Sequence, residues 1–322
     1  MTFDDRGRMP DVTEETEAIY VDSRTAVCDG GGGVLGHPRV FLAIDDSDEV
    51  ECPYCSRRFV YAPEAGARVR MVGHLGDDSF GDFLRQGLVQ AGVDCAGVAI
   101  AKAATGVAVI GVEQGGENQI IVGSGANLAT RADQVDDADL RPGVTLLCQN
   151  EVDPGATFAL LDRAARRGGR TILNLAPAAP VPATVLDATH VLVVNEIEAA
   201  MAAGDRAGAG EPRALASELA LRHDLTCVVT LGAAGAIAQG PAAGWRIGSL
   251  LVEPVDTTGA GDAFVGVLAA ALDRGIELSE ALRWASVAAG LACTRLGAQT
   301  SQPTAAEIEA RLPDLPPATP LA

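Results

Sequence analysis

The stretch VDTTGAGDAFVG, Val255 to Gly266, decides what kind of fold this chain adopts. Its residues Thr258-Gly259-Ala260-Gly261 predict a tight turn that leads directly into an apolar helix. The first backbone N–H groups of a helix have no partner within it, and with the helix dipole they bind anions. Asp262 lies in this positive region, where a carboxylate beside a phosphate is useful as a base that accepts a hydroxyl proton. A helix that simply begins with an acidic first turn explains the same spacing, and the residues alone leave both interpretations open.

Short apolar strands alternate with helical patterns through most of the chain. Strands are predicted at 69–73, 105–113, 118–123, 144–148, 171–175, 190–194 and 226–230. Helices are predicted at 80–91, 157–167, from 196 onward, 212–222, 260–273 and 278–292. The alternation predicts an α/β fold with a mostly parallel sheet and helices on both faces. The proline-rich end, 313–322, is predicted to be disordered.

The phosphate-binding motif of P-loop kinases, G-x-x-x-x-G-K-[ST], does not occur, and the only lysine is Lys102. The stretch DTTGAGDAFVG instead resembles the motif of the PfkB (ribokinase-like) carbohydrate kinases. Further blocks resemble that family in the same order, over about 64–312: MVGHLGDDSFG at 71–81, ATGVAVIGVEQGGENQIIVGSGAN at 104–127, NEIEA at 195–199, TLGAAG at 230–235 and TRLGAQTS at 294–301. The resemblance implies a ribokinase-like fold and transfer of a phosphoryl group from ATP to a sugar hydroxyl. GEN…GAN and GAQTS point to ribokinase within the family.

The resemblance also implies a role for individual residues. Asp262 resembles the catalytic base, and Gly259, Ala260 and Gly261 resemble the anion hole. Asn195 and Glu198 match the motif that organises Mg²⁺ and phosphate, although Asn195 can equally cap a helix. Nucleotide-contacting positions are matched by Thr230 and Gly232, and a sugar-contacting carboxylate by Glu151, which can also be a solvated loop residue. The loops that hold a monovalent cation such as K⁺, mostly through backbone oxygens, are matched by Asp256, Thr258, Ala292, Arg295, Gly297 and Ser301.

The N-terminal stretch CDGGGGVLGHP, 28–38, satisfies the dinucleotide-binding pattern G-x-G-x-x-G. That pattern requires a preceding strand and a following helix, but only TAV precedes Cys28 and a proline follows His37. The alternative uses Cys28, His37, Cys52 and Cys55 as zinc ligands with the spacing C-x8-H-x14-C-x2-C. Three cysteines and one histidine leave no open position on a tetrahedral zinc ion, so the site would be structural, and a segment this small needs such a cross-link to fold. Unconnected thiols and a surface histidine are the remaining interpretation.

Residues 20–61 resemble the CHCC zinc-finger family, and every ligand position matches. The sequence therefore predicts a small β-rich zinc segment at 1–63 and a ribokinase-like domain at 64–312. The composition is that of an ordinary soluble globular protein, with 48% hydrophobic and 21% charged residues. The net charge of −19 makes nucleic acid and anionic lipid unsuitable partners. Without an apolar segment of membrane-spanning length or a signal peptide, the cytoplasm is the expected compartment.

The sequence departs from the PfkB pattern at its beginning. Kinases of this family open with a strand that delivers an aspartate to the sugar, followed by lid strands and a Gly-Gly-x-Gly-Ala-Asn run, and none of these is found before EAGARVRMVG, 64–73. Sugar orientation depends on such contacts. Two functions therefore remain open: a sugar kinase, with ribose, fructose, a nucleoside or a keto-deoxy sugar acid as substrate, and a non-catalytic zinc-binding or assembly protein with a nucleotide-binding remnant. The family commonly dimerises through the lid, so a homodimer is possible.

Overall fold

The computed structural model describes residues 19–21, 25–28, 40–45, 47, 49–56, 58–61, 69–112, 118–204 and 211–321. The chain divides into two compact units, 1–68 and 69–322. The boundary predicted between residues 63 and 64 falls within 62–68, outside the described residues. Over the described ranges, no helix is long and apolar enough to cross a lipid bilayer.

The first unit is built from short strands. They are β1 Ile19–Val21, β2 Thr25–Cys28, β3 Val40–Ala43, β4 Glu49–Glu51 and β5 Arg58–Tyr61. Strand β5 lies between β1, to which it is parallel, and β4, to which it is antiparallel, while β2 and β3 form a separate antiparallel pair. Among the described residues of this unit, the following side chains form a buried hydrophobic cluster: Ala26, Cys28, Leu42, Ile44, Cys52 and Phe59. A cluster of this size gives little hydrophobic stabilisation by itself, and two of its members are cysteines.

The second unit contains the remaining elements. The strands are β6 Arg70–Gly76, β7 Asp94–Ala101, β8 Val107–Val112, β9 Asn118–Gly123, β10 Thr145–Gln149, β11 Arg170–Asn174, β12 Val191–Asn195, β13 Thr226–Thr230, β14 Ala236–Gln239, β15 Gly244–Ile247 and β16 Thr319–Pro320. The α-helices are α1 Ser79–Gln90, α2 Pro154–Arg166, α3 Ala183–Leu186, α4 Glu196–Ala203, α5 Pro212–His223, α6 Ala260–Asp273, α7 Leu278–Ala292 and α8 Ala305–Arg311. Short 3-10 helices lie at Gly125–Ala129, Ala132–Gln134, Asp137–Leu140, Gly232–Ala234 and Leu312–Asp314.

Seven strands, β10 to β16, form the main sheet in sequence order. The first four are parallel, and β14, β15 and β16 continue the sheet antiparallel. Strands β11, β12 and β13 are nearly continuous runs of buried apolar residues, because a parallel strand is covered on both faces. One face packs against α6 and α7, and the other against α2, α4 and α5. The predicted α/β fold with helices on both faces of the main sheet is confirmed.

Two smaller sheets complete this unit: β6 pairs with β7 in parallel, and β8 pairs with β9 as a hairpin. A buried polar network joins the end of β6 to the start of the hairpin. Thr105 Oγ1 accepts from Gly76 N at 2.9 Å and donates to Asp78 Oδ1 at 2.7 Å. Asp78 Oδ1 also caps α1 by accepting from Gly81 N at 2.9 Å. Because its carboxylate accepts hydrogen bonds from Thr105 and Gly81, the pKa of Asp78 is lowered.

The predicted disorder of 313–322 is wrong for residues 313–321. Strand β16 pairs with β15, and Leu321 N donates to Gly244 O at 2.9 Å. Leu315 is buried, and its carbonyl oxygen accepts a hydrogen bond from Arg283 Nε at 2.7 Å. Proline is compatible with this arrangement because an edge strand does not need every N–H group for pairing. Composition alone contains no information about this docking position.

Candidate active site

Three of the predicted site residues lie at, or directly after, the carboxyl ends of parallel strands in the main sheet. Asn195 ends β12 and Thr230 ends β13, and the two residues are direct partners in the strand register. Glu151 follows the end of β10, where its N–H group donates to Gln149 Oε1 at 2.6 Å. In open α/β sheets ligands bind at this edge, so the fold assembles these residues where a substrate can reach them.

The start of α6 has the geometry predicted from the glycines. Gly259 precedes the helix with a φ of 79°, in the left-handed region that favours glycine. Gly259 O accepts from Ala263 N at 2.9 Å, so the helix is regular from its first turn. A Cβ atom on Gly261 would meet nothing within 4 Å, which leaves open space beside the first backbone N–H groups. This turn can accept an anion close to the backbone.

Asp262 lies in the first turn of α6 and is exposed to solvent on one side. Partial burial of its carboxyl group raises the pKa of Asp262, and the negative charge of Glu151 raises it further. The two carboxylates are therefore close enough to interact, although 111 positions separate them in the chain (262 minus 151). A carboxylate with a raised pKa beside an anion-binding turn can remove a proton from a hydroxyl group.

The loop after α7 contacts the turn before α6 and forms a hydrogen bond with it. Gln302 Nε2 donates to Gly259 O at 3.2 Å and to Ala298 O at 2.8 Å. A Cβ atom on Gly259 would lie 2.9 Å from Ala298 O, so the two backbones are in contact. Sequence analysis missed Gln302, because only the fold brings it to a turn more than forty positions away.

The predicted cation loops are also brought together. Asp256 Oδ1 accepts from Thr258 N and Asp256 Oδ2 accepts from Gly297 N, both at 2.9 Å. These hydrogen bonds lower the pKa of Asp256, so it stays ionised. The remaining predicted residues follow in the same segment: Ala292 ends α7, Arg295 forms an ion pair with Glu307, and Ser301 is fully buried. Asp256 thus joins the segment before α6 to the segment after α7, which are the two segments predicted to hold the cation.

Asn195 and Glu198 form a reciprocal helix cap at the start of α4. Asn195 Oδ1 accepts from Glu198 N at 2.8 Å, and Glu198 Oε2 accepts from Asn195 N at 2.7 Å. Glu198 is buried, and burial raises its pKa. The capping interpretation of Asn195 is therefore confirmed, and it fixes the position of both side chains at the sheet edge. Gly232, just beyond Thr230, has a φ of 55° with open space around its Cβ position.

A second residue that sequence analysis missed is Asn150, next to Glu151. Asn150 is 7% exposed, and its Nδ2 donates to Pro177 O at 2.9 Å while its backbone N donates to Ala176 O at 2.9 Å. These bonds hold the end of β10 against the segment that follows β11. An asparagine beside a predicted site residue is the only sequence signal that could have identified it.

In the first unit, three of the four predicted zinc ligands come together. The sulfur atoms of Cys28, Cys52 and Cys55 lie within 4.8 Å of one another, and the Cys28 and Cys55 sulfurs are 3.5 Å apart. Two thiolates on one tetrahedral zinc ion are separated by about 3.7 Å, given Zn–S bonds of about 2.3 Å, so the cluster fits such an ion. Cys28 and Cys52 are buried, and no disulfide joins any of the seven cysteines. His37, the predicted fourth ligand, lies outside the described residues.

Comparison with known proteins gives matches to both units. Residues 59–305 match the pfkB family carbohydrate kinases, and residues 23–59 match a zinc-finger domain of the CHCC type. The ribokinase of Haemophilus influenzae is 30% identical over 254 residues, which are 77% of this chain and 82% of the relative. The crystal structure of ribokinase from Thermotoga maritima has a TM-score of 0.67 and 30% identity, covering 76% of this chain and 81% of that chain. Ribokinase from Arabidopsis thaliana, complexed with ribose and ATP, is similar in fold, with a TM-score of 0.68 and 23% identity over 92% of this chain and 97% of that one.

Proposed function

The chain belongs to the pfkB family of carbohydrate kinases, and on this premise we propose that it is a ribokinase, which transfers the γ-phosphoryl group of ATP to D-ribose. Membership of this family makes the chain a phosphotransferase that uses a hydroxyl group as acceptor. The finer proposal concerns the sugar and the residues that act on it.

The observation that carries the proposal is the position of Asp262. It combines a raised pKa with a place in the first turn of α6, directly after the glycine turn. In the proposed reaction Asp262 accepts the proton of the ribose 5-hydroxyl as this oxygen attacks the γ-phosphorus. The bond between the γ-phosphorus and the β,γ-bridging oxygen breaks, and ADP leaves with that oxygen. The backbone N–H groups of Gly259, Ala260 and Gly261 stabilise the charge on the transferring phosphoryl group.

The other site residues bind and position the two substrates. Asn195 and Glu198 would help to hold Mg²⁺ through water, since Mg²⁺ keeps several waters when it binds, and the ion would neutralise phosphate charge. Thr230 and Gly232 contact the nucleotide at the ends of β13 and the following turn. Glu151 accepts a hydrogen bond from a sugar hydroxyl.

The two cation loops act on the anion-binding turn indirectly. The segments that contain Asp256 and Gly297 adjoin Gly259, and a K⁺ ion held by their oxygens would order this turn. Such an ion would supply positive charge in this part of the site. Gln302 contributes by holding Gly259 O in place.

Ribose is favoured as the substrate by the similarity of this sequence to ribokinases. The relative at 30% identity from Haemophilus influenzae is a ribokinase, and the segments GEN…GAN and GAQTS resemble ribokinases within the family. Fructose, nucleosides and keto-deoxy sugar acids are the competing substrates, since they too present a primary hydroxyl group to a base.

The test is ADP release by the intact chain with Mg-ATP and K⁺, with and without D-ribose, using Asp262→Asn as the blank. Fructose, adenosine and a keto-deoxy sugar acid are run at the same concentrations. Ribose-dependent turnover that disappears in Asp262→Asn supports the proposal. Faster turnover of another acceptor would replace ribose by that acceptor.

A second candidate function rests on the cysteine cluster. Three convergent thiols support a structural zinc ion in the first unit. The sequence also departs from the family pattern at the N-terminal segments that contact the sugar in other members. A zinc-binding protein with an impaired kinase domain would bind ATP and about one zinc ion per chain but release no ADP with any of these acceptors. This outcome would exclude the kinase reaction for the isolated chain.

A further inference from the structure

A cavity of about 270 Å³ lies where the first parallel strands of the main sheet begin. Its walls come from the starts of β10 and β11, the residue before β12 and the last residue of α6, and they include Gly143, Thr145, Gly168, Arg170, His190 and Asp273. Glu151, Asn195 and Thr230 lie at the carboxyl edge of the same sheet, and strands of five residues separate the two edges by about 15 Å. The cavity is therefore distinct from the candidate active site.

The ring of His190 offers one hydrogen-bond donor at a defined nitrogen. Thr171 N donates to His190 Nδ1 at 3.1 Å, and the Thr171 hydroxyl oxygen lies 2.6 Å from the same nitrogen. Because Nδ1 accepts, the proton of the neutral ring is on Nε2. Burial lowers the pKa of His190, and the positive charge of Arg170 lowers it further, so the neutral form is favoured. The ring contacts in the described part of the chain all involve Nδ1, which leaves Nε2–H to donate to a ligand.

Arg170 is held by the end of α6. Its Nη1 donates to Leu272 O, one of the last carbonyl oxygens of the helix, which have no partner within the helix. The guanidinium edge formed by Nε and Nη2 makes no hydrogen bond to any described residue. Two N–H groups on one edge of a guanidinium match the two oxygens of a carboxylate, so Arg170 is suited to bind one.

Asp273 lines the same cavity but does not pair with Arg170. Within the described ranges neither residue has an ion-pair partner, although the two carry opposite charges. Their charged groups therefore flank a gap. Asp273 is also the last residue of α6, where the negative end of the helix dipole favours a cation. The cavity thus favours a positive group beside Asp273 and a negative group beside Arg170 and His190.

We propose that this cavity binds a small zwitterionic α-amino acid. The carboxylate of the ligand accepts hydrogen bonds from Arg170 and from His190 Nε2–H, and its ammonium group donates to Asp273. One positive, one negative and one neutral side chain give the cavity no net charge, which matches a ligand without net charge. A simple anion would instead bring its charge close to Asp273, in a chain whose net charge is −19.

The size of the cavity limits the side chain of the ligand. Its volume of about 270 Å³ lies below the range of about 300–1,000 Å³ that is typical of pockets for drug-sized molecules. Gly143 and Gly168 leave room for the ligand backbone, and Thr145 adds a polar wall. An amino acid with a short side chain is therefore expected, and L-alanine is a suitable probe.

Isothermal titration calorimetry on the intact chain tests which charged groups the cavity requires. L-Alanine carries both groups, propionate is the same molecule without the ammonium group, and ethylamine is the same molecule without the carboxylate. We expect L-alanine to bind with a Kd below about 1 mM, and the other two to bind at least about tenfold more weakly, since each loses one charged contact. Propionate binding as tight as that of L-alanine would reveal a plain anion site and overturn the proposal, as would the absence of L-alanine binding.

Two variants locate the binding site. Asp273→Asn removes the charge that holds the ammonium group, and Asp82→Asn, at an exposed position of α1 outside the cavity, is the matched control. In Asp273→Asn the affinity for L-alanine should fall at least about tenfold, while the affinity for propionate should stay the same or rise. Asp82→Asn should bind both compounds as the unchanged chain does. Equal loss or equal retention of L-alanine binding in the two variants would place the ligand elsewhere and overturn the proposal.

Nitrogen NMR of the histidine rings gives a second measurement on the unchanged chain, and it decides the question if Asp273→Asn does not fold. The chain has four histidines, and the His190 signals are those that disappear in His190→Gln. The ring should be protonated at Nε2, and the Nε2 resonance should shift as L-alanine is added. A ring protonated at Nδ1, or an Nε2 resonance that L-alanine does not move, would overturn the proposal. None of these measurements depends on kinase activity, so they are independent of the proposed function.

Discussion

Replacing Gly259 with alanine is expected to destabilise the 69–322 unit, whereas the same replacement at Gly266 is expected to stabilise it. Gly259 directly precedes α6 and Gly266 lies inside it, so the same substitution is compared at two positions of one element. Gly259 has a φ of 79°, and a Cβ atom there would lie 2.9 Å from Ala298 O and 3.0 Å from Ala298 Cα. A Cβ atom on Gly266 would meet nothing within 4 Å.

The magnitude follows from two contributions. The left-handed conformation costs a residue with a Cβ atom about 1–2 kcal/mol. The close approach to the Ala298 backbone forces a shift, which costs about 1–3 kcal/mol in a packed region. Gly259→Ala should therefore lower the free energy of unfolding by about 2–5 kcal/mol. Gly266→Ala should raise it by about 0.5–1 kcal/mol, because glycine is unfavourable inside a helix.

Urea denaturation followed by tryptophan fluorescence is a suitable assay. The only two tryptophans, Trp245 and Trp284, both lie in the 69–322 unit, so the signal reports on this unit alone. With a slope of about 2–3 kcal/mol per molar urea, Gly259→Ala should lower the midpoint by about 1–2 M. Equal midpoints for the two variants would refute the reasoning, because they would show that the turn before α6 needs neither a left-handed residue nor contact with Ala298.

Three other predictions concern the catalytic base, the cysteine cluster and the base of the β8–β9 hairpin. Asp262→Asn should reduce turnover by about 10²–10⁴. A base must be ionised, so kcat/KM should fall as the pH drops through the raised pKa of Asp262. Glu151→Gln removes a negative charge that raises this pKa, so the acidic limb of the kcat/KM profile should move to lower pH. An unmoved limb would show that Glu151 does not act on Asp262. Cys52→Ser should lower the zinc content measured by elemental analysis while Cys95→Ser leaves it unchanged, and equal loss or retention in both variants would count against the cluster. Thr105→Val removes the side-chain hydrogen bonds to Gly76 and Asp78, and it should lower the free energy of unfolding by about 1–3 kcal/mol in the tryptophan assay. Thr105→Ser keeps the hydroxyl group and should retain most of this stability. A valine variant as stable as the serine variant would contradict the prediction.

Local sequence patterns predicted the regular elements well where the pattern was strong. The strand Thr226–Thr230 and the helices Ala260–Asp273 and Leu278–Ala292 have the predicted bounds, because β-branched runs and helical periodicity are local properties. Strand Asp94–Ala101 and the hairpin Ala236–Gln239 with Gly244–Ile247 were missed. Their residues are mostly small, so their strand conformation depends on pairing with neighbours rather than on their own preference.

For the candidate site, the sequence predicted the residues but not the way they act on one another. The motif at the start of α6 identified Asp262 because a glycine turn before a helix is a local arrangement. The raised pKa of Asp262 depends on burial and on the charge of Glu151, which reaches the site through the order of the strands. Gln302 and Asn150 were missed for the same reason: their hydrogen bonds join segments that are distant in the chain.

The sequence by itself determined the α/β class, the bounds of the strongest elements, the start of α6 and the spacing of the cysteines, because each depends on residues close together in the chain. The tertiary structure alone decided that Asn195 and Thr230 are register partners, that Cys28 meets Cys55, that the tail forms an edge strand, and that Arg170, His190 and Asp273 line one cavity. The physical reason is that these arrangements depend on which distant segments pack together. Packing is fixed by the shape and burial of the whole core, and no single stretch of sequence contains that information.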